Sequence, residues 1–428
     1  MNATLLMVIF ILFFFFTFFD IVRKDIFFGV IYFILFLYSI FTQIGYVFFP
    51  ELSIAWGVYF GPNIIYEYIN FLILSFLTFY LSFKLIYKPF LQKSYYDIAT
   101  KKPTYMFPVF CLLIIAHILY LFSSYIIYYD FLSYSNVQEA FLTDELGIHY
   151  FIFYTGFQVS VYIILVLYIT YRLRHKIKVY GNSILHVLFL LAEIVLFLAI
   201  AIKSGNRNLL AALLMGILLF EYGYISIMNL KKVLSYILVI VIILGFFVLI
   251  EYSRVENSSY QDAPIYAHLI QKDYFFPSHM LLAAIDLNYV DIFEVMKSNF
   301  SNSLIKLNYP YLQSIITDLL NPGIATRSQS MAFYIFTEGY IAFGFLGFFY
   351  NGIFILGLLM IWRIMSLSKN YYYNLFILSL ISTQIVNVVR SQSSYLVKDM
   401  YIFFIPTAVL FYCVTGMLPT FSNKNLIK

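Results

Sequence analysis

Charge is what this sequence has least of: only 11% of its 428 residues are Asp, Glu, Lys or Arg, while 63% are hydrophobic. Ordinary soluble domains carry about 25% charged residues, because water has to solvate their surface. A globule of this length would expose far more surface than so few charges can cover. The composition therefore excludes a soluble protein and predicts a chain that is solvated largely by lipid.

Cysteine and the common enzyme motifs are also scarce. Cys111 and Cys413 lie in apolar runs and are interpreted as small buried hydrophobes. The sequence has no P-loop, dinucleotide-binding fingerprint, G-x-S-x-G or H-E-x-x-H motif, which excludes the common energy-coupled and hydrolase classes. No His, Asp or Cys spacing matches a metal site, so we expect neither a metal nor a cofactor. The formal charge of +5 is too small to indicate a nucleic-acid partner.

Long apolar windows are what the chain has instead. A window of about 18–20 apolar residues marks a membrane-spanning helix. Because no linker, charge run or repeat divides the chain, we predict a single integral membrane domain over residues 1–428. Its fold class is an all-α polytopic membrane protein with about eleven spans, at approximately 3–19, 26–49, 64–83, 107–128, 150–171, 185–202, 208–227, 233–251, 343–362, 371–389 and 400–418.

The basic residues of the connections indicate an orientation. If the N-terminus is outside, 17 of the 26 Lys and Arg residues fall in inside connections and nine in outside ones. Every short inside connection then carries a basic pair, as the positive-inside rule requires, and the first three outside connections carry none. The nine outside cations are therefore the ones that topology does not explain.

Five of these nine cations belong to one long connection, residues 252–342, which we predict to lie on the periplasmic or extracellular side. A connection of this length without its own structure would be unusual. Apolar periodicity recurs within it, and prolines punctuate it. We predict several short, partly amphipathic helices that lie on or dip into the outer face of the membrane.

A compact external hairpin carries two more of the nine. Lys203 and Arg207 flank Ser204-Gly205-Asn206 between two apolar helices, and Arg207 is expected to begin the second helix. Two cations beside a helix N-terminus form a plausible seat for a phosphate or pyrophosphate. The alternative is that both side chains reach lipid headgroups.

Further candidates lie in or near the long connection. Arg254 follows the eighth span, where Glu251 and Glu256 offer structural pairing as the alternative. Arg327 precedes an apolar stretch that contains Glu338, a carboxylate that is costly there unless it is paired or faces water. Because Gly339, Gly344 and Gly347 interrupt residues 331–365, we predict that 331–341 is a re-entrant or external helix.

Two sets of ionisable residues leave alternatives open. His279, in the external connection, is a candidate base, or else a lone histidine bonded to backbone. The ionisable residues inside the spans are Glu67, His117, His186, Glu193 and Glu221. Glu193, near the middle of its span, indicates either a structural ion pair or protonated carboxyl group, or else a proton or ion pathway.

Two segments carry a resemblance to a known family. Ser204-Gly205-Asn206-Arg207 is similar to the G-S-R-G-type turn of the O-antigen and capsule repeat-unit polymerases, the Wzy family, although Asn208 stands where the family often has Gly. Residues 337–347, Thr-Glu-Gly-Tyr-Ile-Ala-Phe-Gly-Phe-Leu-Gly, look like that family's E-x-Y-x-N-F-G-x-x-G segment, with Ala342 where Asn is frequent. The many-span layout with a long late external loop agrees.

The resemblance implies a metal-independent glycosyltransferase with a GT-C-like architecture in the bacterial plasma (inner) membrane. Such a polymerase transfers a growing glycan from undecaprenyl pyrophosphate onto a new lipid-linked oligosaccharide at the outer face. The candidate roles are pyrophosphate binding by Arg207, Arg254, Arg327 and Lys203, with Arg207 also catalytic, and general base catalysis by Glu338 or His279. The implied partners are lipid-linked oligosaccharides and membrane lipid, and whether a chain-length regulator binds stays open.

Two other functions remain open from the sequence. A lipid-linked oligosaccharide flippase or secondary transporter would account for Glu193 and His186, although the internal repeats typical of transporters are not found. An O-antigen ligase would share the architecture and differ in its acceptor, which one sequence cannot identify.

Overall fold

In the computed structural model, every regular element among the described residues is a helix. The described residues are 3–48, 60–91, 107–129, 148–173, 183–204, 207–218, 220–221, 278–303, 310–320, 333–365, 383, 389–394, 397 and 409. Their α-helices are α1 (Ala3–Lys24), α2 (Ile26–Phe48), α3 (Pro62–Leu91), α4 (Phe107–Ile127), α5 (Ile148–Leu173), α6 (Ser183–Ser204), α7 (Arg207–Leu218), α8 (His279–Asp286), α9 (Ile292–Ser303), α10 (Leu312–Leu320), α11 (Ile335–Phe343), α12 (Gly347–Tyr350) and α13 (Leu356–Met365).

The predicted spans agree with these helices wherever both can be compared. Helices α1–α6 each begin within two residues of the predicted start. The predicted spans 233–251, 371–389 and 400–418 fall almost entirely outside the described residues. The total of about eleven spans therefore stays a prediction. Within the described part, five helical stretches are long and apolar enough to cross a membrane by length and composition, as expected of an integral membrane protein: Thr4–Lys24, Pro62–Ile86, Pro108–Ile127, Ile184–Ser204 and Ile335–Ile361, the last of which is interrupted at Gly344.

The chain divides into two compact units. The first comprises residues 1–93, 262–365 and 385–400 and contains α1–α3 and α8–α13. The second comprises residues 94–261, 366–384 and 401–428 and contains α4–α7. The predicted external connection 252–342 contributes the short helices α8, α9 and α10 to the first unit.

Aromatic packing joins the first two helices. Phe14 on α1 is fully buried, and its ring stacks on Phe36 of α2 with the centroids 3.7 Å apart. On the same helix, Leu12 and Phe16 are 66% and 75% exposed. Because large apolar side chains cover the outer face of α1 as well as its packed face, this face is suited to contact with lipid rather than water.

Helix α11 follows α3 in the reverse direction. Phe336 packs edge-on against Phe76, and one turn later Tyr340 packs edge-on against Phe71, each pair with centroids 5.5 Å apart. The contacts move toward the Pro62 end of α3 as α11 proceeds, so the two helices are antiparallel. Because a helix rises 1.5 Å per residue, α11 begins about 21 Å along α3. Helix α11 therefore starts beside the middle of α3 and runs toward the Pro62 end of that helix.

The chain reverses at Gly344. This residue has a φ of +57°, a backbone conformation that favours glycine, and it ends α11. After a 3₁₀ turn at Gly344–Leu346, α12, a π-helical turn at Asn351–Ile355 and α13 return along α3. Thr78 on α3 donates to the carbonyl oxygen of Phe348 at 2.8 Å on this return path. The break predicted from the glycines is confirmed at Gly344, whereas the re-entrant or external placement of 331–341 stays a prediction.

Candidate functional site

The predicted site residues are divided between the two units. Glu338 on α11 and His279 on α8 belong to the first unit, and these two helices pack against each other. Lys203 on α6 and Arg207 on α7 belong to the second unit. Arg254 and Arg327 lie outside the described residues, so their roles stay predictions.

Glu338 is the best-defined member of the site. Its side chain is fully buried, and both carboxylate oxygens accept hydrogen bonds. Oε1 accepts from Asn299 Nδ2 at 2.7 Å, from Ser393 Oγ at 2.6 Å and from the Tyr350 hydroxyl, while Oε2 accepts from the backbone N–H of Ser393 at 2.7 Å. A buried carboxylate is tolerated when donors replace its lost hydration, and these four donors do so here.

Gln392 extends these contacts into a continuous polar cluster. Its Oε1 accepts from the backbone N–H of Leu312 at 3.0 Å, and its Nε2 donates to Ser394 Oγ at 2.7 Å and to Asn299 Oδ1 at 3.3 Å. Asn299 therefore bridges Gln392 and Glu338. We call the set the Glu338 cluster; its members are Ser298, Asn299, Glu338, Tyr350, Gln392, Ser393 and Ser394.

The residues of the Glu338 cluster come from α9, α11, the end of α12 and the short segment 392–394. Asp291 caps α9 by accepting the backbone N–H of Glu294 at 2.9 Å, which fixes the helix that carries Asn299. The backbone N–H of Asp291 donates to the carbonyl oxygen of Ile341 at 2.7 Å and so ties α9 to α11. These local bonds place the amide of Asn299 beside the carboxylate of Glu338.

His279 has very different surroundings. It is 2% exposed and packs edge-on against Phe60, with ring centroids 5.8 Å apart. Burial lowers the pKa of His279 from 6.5 to about 3, because the charged imidazolium would lose its hydration. A neutral imidazole with so low a pKa is a weak proton acceptor, which disfavours the predicted role as a general base.

In the second unit, Arg207 is the first residue of α7, as predicted. The first turn of a helix offers backbone N–H groups and the positive end of the helix dipole to an anion. Lys203, in the last turn of α6, lies over the ring of Tyr129, with the ammonium nitrogen 4.2 Å from the centroid. The cation–π contact holds this charge at the end of its helix.

A buried pair joins three helices of the second unit. His117 Nδ1 lies 2.9 Å from Glu193 Oε1, and His117 Nε2 lies 3.1 Å from the carbonyl oxygen of Gly156. Because a carbonyl only accepts, Nε2 must carry a hydrogen, so one proton is shared between Nδ1 and the carboxyl group. The partner of Glu193 is thus His117; the other histidine predicted for this region, His186, stacks on Phe110.

Sequence reasoning missed most of the Glu338 cluster. Asn299, Tyr350, Gln392 and Ser393 are not among the predicted site residues. The run Ser391-Gln392-Ser393-Ser394 is unusually polar for a segment between two apolar windows, and that density is the available signal. Among the described residues, no group of three His, Cys, Asp or Glu residues is placed to hold a metal ion.

Comparison with known proteins returned no match: no family model, no curated protein and no solved structure is similar to this chain.

Proposed function

We propose that this chain is a polysaccharide repeat-unit polymerase of the outer face of the bacterial plasma membrane. It would transfer a growing glycan from undecaprenyl pyrophosphate onto a new lipid-linked oligosaccharide. The observation that carries the proposal is the Glu338 cluster, which surrounds a fully buried carboxylate on a helix that ends at a chain reversal within an apolar helical unit. Intramembrane ionisable groups with a built set of partners mark functional sites by default. The resemblance of residues 337–347 to the polymerase segment points to this chemistry.

The reaction makes one bond and breaks one. The oxygen of an acceptor hydroxyl attacks the anomeric carbon of the growing chain, and the bond from that carbon to pyrophosphate breaks. The bonding electron pair leaves with the pyrophosphate, and the hydroxyl proton is released to a base. Because negative charge grows on the leaving group, fixed cations stabilise the transition state more than the substrate. Arg207, Arg254, Arg327 and Lys203 are the groups proposed for this role.

Deletion of the gene in its own cell tests the proposal. A polymerase is needed to join repeat units but not to export them, so the deleted strain should display a single repeat unit instead of a polymer. The matched pair of variants is Arg207→Ala, which should fail to restore the polymer, and Arg23→Ala, which should restore it. Arg23 is an exposed cation at the predicted inside end of α1.

The possible outcomes distinguish a failure of the role proposed for Arg207 from a failure of the proposed polymerase function. Restoration of the full polymer by Arg207→Ala would remove Arg207 from the mechanism. An unchanged polymer in the deleted strain would reject the polymerase function itself.

The second candidate function is a flippase or secondary transporter of lipid-linked oligosaccharide. The proton-sharing pair of His117 and Glu193 favours it, because such pairs serve as proton relays in transporters. In that case Glu193→Gln should abolish export of lipid-linked units while polymerisation of supplied units survives. Polymerase loss would instead leave export intact, so the two functions predict opposite results in the same export assay.

A further inference from the structure

Four hydrogen bonds and complete burial keep the carboxylate of Glu338 from direct contact with a substrate. A carboxylate has about two lone-pair sites on each oxygen; three of the protein donors bind Oε1 and one binds Oε2. A general base needs a lone pair directed at the hydroxyl that it deprotonates. Because the side chain is fully buried, an acceptor sugar could reach the remaining lone pair of Oε2 only by displacing the protein atoms that cover it.

Two of the four bonds come from one residue. Ser393 donates both its backbone N–H, to Oε2, and its hydroxyl, to Oε1. A bond to a backbone N–H fixes the path of the main chain rather than a single side chain. Glu338 therefore fixes the segment around Ser393, which belongs to a different part of the sequence, 55 residues away.

Hydrogen bonds of Gln392 also anchor the segment around Ser393. Gln392 is bound to the backbone N–H of Leu312 at the start of α10, and through Asn299 to α9. The turn at residues 390–394 thus has anchors on α9, α10 and α11, all within the first unit. It begins at Arg390, a half-buried cation that belongs to the nine outside cations left unexplained by topology.

We propose that Glu338 is a positioning residue: its carboxylate fixes the turn at 390–394 so that Arg390 is presented to the anionic phosphate group of the lipid-linked substrate. This inference rests on the proposed function. The proton of the acceptor hydroxyl then passes to water or to the released pyrophosphate, and Glu338 takes no part in proton transfer.

Hydrogen–deuterium exchange of the purified full chain tests the anchor without any substrate. Glu338→Ala should raise exchange of the peptide containing Ser393 by roughly tenfold or more, because its N–H loses the acceptor. Glu338→Gln keeps one amide oxygen as acceptor and should raise it only about threefold. Glu67→Ala is the matched control, because the bond that Glu67 accepts from Tyr340 is long, at 3.5 Å. Unchanged exchange in Glu338→Ala would overturn the anchor.

Polymerisation kinetics of the reconstituted protein test the role. If Glu338 acts through Arg390, the double variant Glu338→Ala/Arg390→Ala should be no slower than Arg390→Ala alone. Glu338→Gln should stay within roughly tenfold of the unmodified protein, with the same pH profile. A general base would instead give a loss on the order of a hundredfold or more in Glu338→Gln, together with loss of the acidic limb of the profile.

Ser393→Ala provides a second test of the anchor in case the Glu338→Ala protein does not fold. It removes one donor and keeps the carboxylate, so it should fold and show a milder form of the same exchange and rate changes. Two results would overturn the positioning role: additive losses in the double variant, or a loss on the order of a hundredfold or more in Glu338→Gln together with loss of the acidic limb of the pH profile. If the unmodified protein makes no polymer, the proposed function fails and the positioning role with it, whereas the exchange result still stands or falls on its own.

Discussion

The absence of a side chain at Gly347 allows α11 and α12 to pack in direct backbone contact. Gly347 lies directly against the backbone of Gly339, so a Cβ at 347 would collide with main-chain atoms that cannot rotate away. The contact closes the reversal between α11 and α12 and thereby brings Tyr350 to Glu338. The glycines of this segment are therefore required by packing as well as by the turn at Gly344.

Replacement of Gly347 by alanine should destabilise the protein by about 1–3 kcal/mol, the range for overpacked sites. Gly357→Ala is the matched control: among the described residues no atom lies within 4 Å of the position that its Cβ would take, and alanine is the better helix former in α13. The midpoints of thermal unfolding in detergent measure the difference. Equal midpoints for the two variants would contradict the close approach of α11 and α12.

His279 gives the stability a specific dependence on pH. Its folded-state pKa of about 3 lies below the ordinary value of 6.5, so folding releases no proton from His279 above pH 6.5, and stability is lost as pH falls below that value. At pH 5 the loss amounts to about 2 kcal/mol. We expect His279→Gln to lose less stability than the unmodified protein between pH 7.5 and pH 5. Parallel losses in thermal unfolding would show that His279 does not titrate on unfolding.

At the scale of the elements, one buried pair holds three helices. His117 on α4 contacts Glu193 on α6 and the backbone of α5 at Gly156. Gly156 has no side chain to separate α5 from α4, and a Cβ there would lie 2.6 Å from the ring of Tyr120. The pair and the glycine together define how these helices pack.

Loss of one partner of this pair should cost more than loss of both. His117→Leu leaves a fully buried carboxyl group without its partner, and the expected cost is about 3–5 kcal/mol. The double variant His117→Leu/Glu193→Leu removes both polar groups and should recover much of that stability. Unfolding midpoints of the two variants measure the difference. A double variant less stable than His117→Leu would contradict the buried pair.

Apolar windows predicted the long helices well because any helix that crosses lipid must be apolar over most of its length. They could not predict the Glu338 cluster, and α9 shows why. Its residues Phe293, Met296 and Phe300 are 61–71% exposed, whereas Asn299 faces the cluster. Periodicity identifies an apolar face but does not say whether lipid or protein covers it. The partners of Glu338 come from segments 12 to 55 residues away, and their pairing depends on tertiary packing.

For the molecule as a whole, the sequence predicts an orientation that can be measured directly. Exposed lysines are available on both predicted sides: Lys84 near the end of α3 and Lys297 on α9. In a background with Cys111 and Cys413 replaced by serine, an impermeant maleimide should label Lys297→Cys in intact spheroplasts. It should label Lys84→Cys only after permeabilisation. The reverse pattern would invert the topology and place the Glu338 cluster on the wrong side for the proposed substrate.

The polymerase function has one decisive measurement. The purified protein, reconstituted in liposomes with a lipid-linked oligosaccharide repeat unit and no added metal, should produce a ladder of glycans spaced by one repeat. Each new bond should release one undecaprenyl pyrophosphate. A folded, correctly inserted protein that yields only the starting repeat unit would contradict the proposed function.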